Sequence, residues 1–231
     1  MSLLHILSAG AAQGLVEGLR GAIYSETGRT VQGQFGAVGL MRDRLLEGAS
    51  CDVLILTQAL IEELAAAGRV QPLSARPLGR VRTAIAVKAG ELAPRVDTPE
   101  ALKAALLAAR GIYFPDPLKA TAGIHFMSVL QRLGIAERVA PALRPYPNGA
   151  TAMKELAAAS GPGLIGCTQV TEILYTPGVQ LVANLPSEFE LATVYMAAVA
   201  AKSEQPQAAR LVVELLAGAR SAALRQSCGF Q

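Results

Sequence analysis

Residues 112–125 read Ile-Tyr-Phe-Pro-Asp-Pro-Leu-Lys-Ala-Thr-Ala-Gly-Ile-His, an apolar strand that breaks at two prolines and restarts as a helix through a small polar turn. A helix start leaves its first backbone N–H groups unpaired and carries about half a positive charge, so it holds an anion without any charged side chain. Two earlier stretches have the same form: residues 3–7 followed by Ser8-Ala9-Gly10-Ala11-Ala12, and residues 31–35 followed by Gly36-Ala37-Val38-Gly39. The chemistry implied is capture of a small anion by backbone donors at residues 10–12, 37–39, 121–123 and 149–151.

The side chains that would choose among anions stand at the strand ends: Ser8, Thr57, Thr121, Asn148, Thr151 and Thr168, with Lys119 and His125 on either side of the central turn. Several spaced donors and one or two cations suit an organic carboxylate larger than a tetrahedral oxyanion. The expected ligand contacts are therefore Ser8, Gly10, Ala11, Ala37, Val38, Thr57, Lys119, Thr121, Ala122, His125, Asn148, Gly149 and Thr168. Each has a plainer reading. Thr121 and Asn148 are good N-cap or turn residues, Lys119 suits a solvated loop, and His125 suits a packing interface. His5 reads as a hydrogen-bonded structural histidine within a strand, and Glu172 and Tyr175 fall at the rim of the expected site.

The elements that would position these residues follow from periodicity. Strands are expected over residues 3–8, 30–35 and 51–56, alternating with helices over 13–27, 40–47 and 58–67, with Gly28, Gly48 and Gly68 as terminators. This alternation implies a mostly parallel sheet. A long strand over 79–88 precedes a helix opened by Thr98-Pro99, and a second α/β run follows. It comprises a strand at 111–114, a helix at 121–133, a helix at 150–159, a strand at 163–167 and a short helix at 170–174. Strands at 178–185 and 192–200 and helices at 206–217 and 221–227 close the chain. No linker or repeat separates the halves, so two lobes are expected, residues 1–81 with 195–231 and residues 82–194. Ligands of open α/β sheets bind beyond the carboxyl ends of the strands, in a cleft that closes by hinge motion.

Composition excludes several classes. The 231 residues are 52% hydrophobic, 4% aromatic and carry a net charge of +3, enough for real cores and without the basic stripe or stacking platform of nucleic-acid binding. Cys51, Cys167 and Cys228 lack disulfide or zinc spacing and read as incidental thiols, and neither a metal nor a cofactor is expected. No apolar run is long enough to span a bilayer, and no signal peptide is evident at the start. As written the chain is expected in the cytoplasm, or in the periplasm if a leader has been trimmed.

Taken in order, Leu7-Ser8-Ala9-Gly10-Ala11, Glu26-Thr27-Gly28, Phe35-Gly36-Ala37-Val38-Gly39, Glu47-Gly48-Ala49-Ser50-Cys51-Asp52-Val53, Asp116-Pro117 with Ala122-Gly123, Leu133-Gly134-Ile135, and Pro206-Gln207-Ala208-Ala209 with Cys228-Gly229-Phe230 resemble one family. It is that of the molybdate-binding proteins of bacterial ABC importers, with the type II periplasmic binding-protein fold. The resemblance spans nearly the whole chain. It implies a solute-binding protein of two α/β lobes with the ligand between them, and an ABC importer membrane component as partner. Molybdate binders of that family use two serines and a tyrosine, whose places here fall at Ala11 or Ala12, at Val38 and at or beside Cys167. Losing such donors costs about 1–3 kcal/mol each, which shifts the expected ligand from molybdate or tungstate to a small organic carboxylate. The same resemblance leaves a second function open, because the family includes an aconitate isomerase. Cofactor-free proton transfer in an unsaturated tricarboxylate would then use His125 or Lys119 as base and the N–H clusters to hold the enolate-like intermediate.

Overall fold

The computed structural model describes residues 3–231. The chain divides into two compact units, Met1–Val81 with Thr193–Gln231, and Arg82–Ala192. It passes from the first to the second within one long strand and returns at the start of another.

In unit 1, β1 (Leu3–Ala9) leads through a 3-10 turn (Gly10–Ala12) into α1 (Gln13–Gly18) and α2 (Arg20–Thr27), followed by β2 (Thr30–Gly36), α3 (Val38–Leu46), β3 (Val53–Thr57), α4 (Gln58–Ala66) and the first half of β4 (Arg76–Lys88). The expected single helix over 13–27 is two, meeting at Leu19, whose N–H still reaches the carbonyls of Leu15 and Val16. β1 lies parallel between β2 and β3. Leu4, Ile6, Leu7 and residues 53–56 are almost wholly buried, the continuous apolar pattern of strands covered on both faces.

Unit 2 begins in β4 and continues with α5 (Pro99–Ala108), β5 (Gly111–Pro115), α6 (Thr121–Arg132), α7 (Ala136–Val139), β6 (Leu143–Tyr146), α8 (Gly149–Ala158), β7 (Leu164–Gln169), α9 (Val170–Tyr175) and β8 (Val179–Asn184). β5 is flanked in parallel by β6 and β7, and β4 runs antiparallel to both β7 and β8. β7 has a helix on each side. Gly166 meets Met153 and Leu156 of α8, whereas Ile165 and Cys167 join Phe114, Phe126, Val129 and Leu130 in the core beneath α6. The Phe114 and Phe126 rings pack at 5.4 Å.

The chain then returns through β9 (Ala192–Val199), antiparallel to β3, and closes unit 1 with α10 (Pro206–Ala217) and α11 (Ala222–Ser227). Both units are thus α/β, with mostly parallel strands flanked by helices. No helix of the described residues is long and apolar enough to cross a membrane.

Candidate functional site

Parallel registers decide which helix starts share an edge. In unit 1, Ser8 pairs with Phe35 and Ile55, and Ala9 with Gly36, so β1, β2 and β3 end at one level. The turn at Gly10 and the starts of α3 and α4 follow directly from those ends. None is capped by its own side chains: Ala9, Ala37 and Thr57 at the cap positions accept no hydrogen bond from the following turn. Ala11, Ala37 and Val38 are buried, so what these turns offer is backbone N–H. Ser8 is fully buried and its hydroxyl donates to the Ala9 carbonyl at 2.8 Å, serving its own backbone.

Unit 2 repeats this geometry, since Pro115 of β5 pairs with Tyr146 of β6 and Tyr113 with Gly166 of β7. The α6 start also lacks a side-chain cap, with Ala120 at the cap position and Thr121 as the first helical residue. Asp116 organises the approach, its carboxylate accepting from the Leu118 and Lys119 N–H groups at 2.7 and 2.9 Å. Gly123 is required there, because a Cβ would stand 2.3 Å from the carbonyl oxygens of Pro115 and Asp116. Lys119 lies on the exposed loop. The half-buried His125 is tied through Nε2 to the Phe189 carbonyl at 2.7 Å.

The start of α8 is arranged differently from the expectation that Asn148, Gly149 and Thr151 face a ligand. Asn148 caps its own helix, accepting from the Thr151 N–H at 2.8 Å. The carboxyl group of Glu172 occupies the rest of the turn, accepting the Thr168 hydroxyl at 2.5 Å with the backbone N–H groups of Gly149, Ala150 and Gln169 close enough to favour its charged form. Glu172 is therefore a buried carboxyl group at a helix start, not a rim residue. Burial raises its pKa above the ordinary carboxylate value, and these donors offset part of that rise. Gly149 permits the approach, since a Cβ would lie 2.0 Å from both Glu172 Oε2 and Thr168 Oγ1.

A group that the strand-end reading passed over is Gln169 at the end of β7. Its amide is buried, and neither Oε1 nor Nε2 has a partner; the hydroxyl of Thr83, opposite it on β4, is likewise unpaired. Its signal in the sequence is a large amide at a strand–helix junction, which Gln58 at the start of α4 shares. Cys167, near the place the resemblance gives to a tyrosine, is wholly buried in the core, which pushes its thiol pKa up. A separate cavity of about 280 Å³ lies at the opposite strand ends of unit 1, lined by His5, Asp52, Arg69 and Lys202 among others. Asp52 there is already paired with the His5 N–H and the Ser203 hydroxyl, so the candidate ligand groups remain the helix starts.

Uncapped helix starts stand at the carboxyl edges of both α/β units, a feature suited to anions. Residues 4–231 match the bacterial extracellular solute-binding protein family, and the chain belongs to it. Among solved structures it is similar to the periplasmic molybdate-binding protein of Azotobacter vinelandii (TM-score 0.81, 18% identity, 99% of this chain and 98% of that one). It is also similar to the sulfate-binding protein of Mycobacterium tuberculosis H37Rv (TM-score 0.75, 18% identity, 100% and 86%). Among characterised sequences it is 25% identical over 239 residues to an aconitate isomerase of Pseudomonas sp., covering 100% of this chain and 88% of that protein.

Proposed function

We propose that this solute-binding protein takes a small organic carboxylate, delivering it to an ABC importer, and that backbone N–H groups at its uncapped helix starts do most of the holding. The observation that carries this reading is the pairing of uncapped helix starts with apolar or small residues, Ala37 with Val38 and Ala120 with Ala122. Val38 stands where the resemblance places a molybdate-binding serine, and it has no hydroxyl. Backbone donors spaced along an edge match the separated carboxylates of a di- or tricarboxylic acid better than one compact tetrahedral anion. The family's extracellular description supports the periplasm over the cytoplasm as the site of action.

A second reading is favoured by the relative that isomerises aconitate. A base would take a carbon-bound proton from an unsaturated tricarboxylate, the double bond would shift through an enolate-like anion steadied by the α6 start, and the proton would return at the other carbon. His125 is the candidate base. Its Nε2 is held by Phe189, leaving Nδ1 for the transfer. Lys119 on the loop before α6 is the other candidate.

A thermal-shift panel of succinate, malate, citrate, tricarballylate, cis- and trans-aconitate, sulfate and molybdate tests both readings. A ligand at 100 times its Kd adds about 2.7 kcal/mol, and the expected result is stabilisation by one or more carboxylates. Stabilisation by molybdate or sulfate alone would refute the carboxylate assignment. Proton NMR of the aconitate samples decides the second reading: interconversion of the isomers supports catalysis, and unchanged spectra leave a binding protein.

A further inference from the structure

We infer that Gln169 and Thr83 form a buried recognition pair in unit 2 that selects hydroxycarboxylates, an inference that rests on the carboxylate-binding reading above. Gln169 is 3% and Thr83 1% exposed, yet both amide atoms of Gln169 and the hydroxyl of Thr83 lack a hydrogen-bond partner. Buried polar atoms are nearly always paired, and each left unpaired weakens the fold. Three together, on facing residues, point to a partner that arrives from outside the chain.

Their position shows what that partner would meet. Thr83 and Gln169 are directly opposed in the antiparallel register of β4 and β7, as are Ile85 and Cys167 two residues further in. Opposed residues share a face of the sheet. Ile85 and Cys167 belong to the core with Phe126, so the unpaired groups continue the α6 side of the sheet. The parallel register of Ile112 with Ile165 places Phe114 on that side too, and the first turn of α6 sits over the end of β5 through Gly123. The uncapped α6 start and the unpaired amide thus come to one edge of one unit. Gln169 is also the cap residue of α9, but its side chain accepts nothing from that helix.

The donor and acceptor inventory selects the ligand. The α6 N–H groups, Gln169 Nε2 and the Thr83 hydroxyl can all donate, whereas Gln169 Oε1 can only accept. A carboxylate or a deprotonated oxyanion accepts only, and would leave Oε1 unpaired. A ligand with a hydroxyl beside its carboxylate supplies the missing donor: its O–H bonds to Oε1, and its carboxylate takes Nε2, Thr83 and the helix start.

Titration calorimetry with matched pairs, malate against succinate and citrate against tricarballylate, with molybdate alongside, tests this on the wild type, Gln169→Leu and Thr83→Val. The wild type should bind the hydroxylated member roughly tenfold to a hundredfold more tightly. Gln169→Leu should bring that ratio close to one, and Thr83→Val should weaken both members. The unliganded melting temperature of Gln169→Leu should be equal to or above the wild type, because the amide makes no bond in the fold. Carboxylates that bind with a ratio near one in the wild type, or with the ratio preserved in Gln169→Leu, overturn this inference and leave the carboxylate reading standing. A clear fall in the unliganded melting temperature of Gln169→Leu assigns the amide a structural role and also overturns it. Binding of molybdate with no carboxylate, or of no probe at all, overturns the carboxylate reading and this inference with it.

Discussion

Replacing Glu172 by alanine is expected to destabilise the protein by about 3 kcal/mol. The side chain is buried against the α8 start and accepts the Thr168 hydroxyl, so its removal strands that hydroxyl, takes a polar partner from the nearby backbone N–H groups and opens a void at the α8 start. For a chain of this size that corresponds to a fall in Tm of roughly 6–12 °C, measurable by calorimetry; an unchanged Tm would show that the donors find other acceptors. Glu172 also predicts a pH dependence. Burial raises its pKa in the folded state above the unfolded value, so the folded protein keeps a proton where the unfolded chain has released it. This contribution is fully present below the ordinary glutamate range and is lost as pH rises through the raised folded value. Denaturant midpoints from about pH 4 to 8 should therefore fall with rising pH in the wild type more than in Glu172→Gln, which cannot titrate.

Gly123→Ala is the second substitution with a large expected effect. The added Cβ would stand 2.3 Å from two backbone oxygens, those of Pro115 and Asp116, and backbone cannot rotate away as a side chain can. The first turn of α6 must lift from β5, at a cost of about 3 kcal/mol. The donors of Thr121 and Ala122 move with it, so affinity for any anion held there should drop as well. Gly21 in α2 is the control, since an added Cβ meets nothing within 4 Å and alanine should stabilise that helix by about 0.5–1 kcal/mol. Equal midpoints for Gly123→Ala and wild type would mean that α6 does not sit tightly on β5.

The strand–turn–helix units were legible in the sequence because apolar runs ending in Ser8-Ala9-Gly10, Gly36-Ala37 and Asp116-Pro117 carry both the strand pattern and the helix start in adjacent residues. β6 was not legible as a strand: Leu143-Arg-Pro-Tyr146 has one aliphatic residue and a proline, and only its pairing with β5 makes it a strand. The break at Leu19 lies inside an apolar pattern that continues through it. The polar residues at strand ends were harder still. A hydroxyl such as that of Ser8 or Thr168 looks the same in sequence whether it serves its own chain or a ligand, and only the fold brings Glu172 onto the start of α8, 23 residues before it in the chain. Gln169 became a candidate only once the β4–β7 register set it opposite Thr83 with no partner in reach.

If a small organic anion is held by the backbone at uncapped helix starts, adding citrate while the amide ¹H–¹⁵N resonances are followed should shift Ala37, Val38, Thr121, Ala122 and Gly123 most, while Gly149 and Ala150, covered by Glu172, move little. Shifts confined to the neighbourhood of His5, Arg69 and Lys202, with those helix starts unmoved, would contradict it.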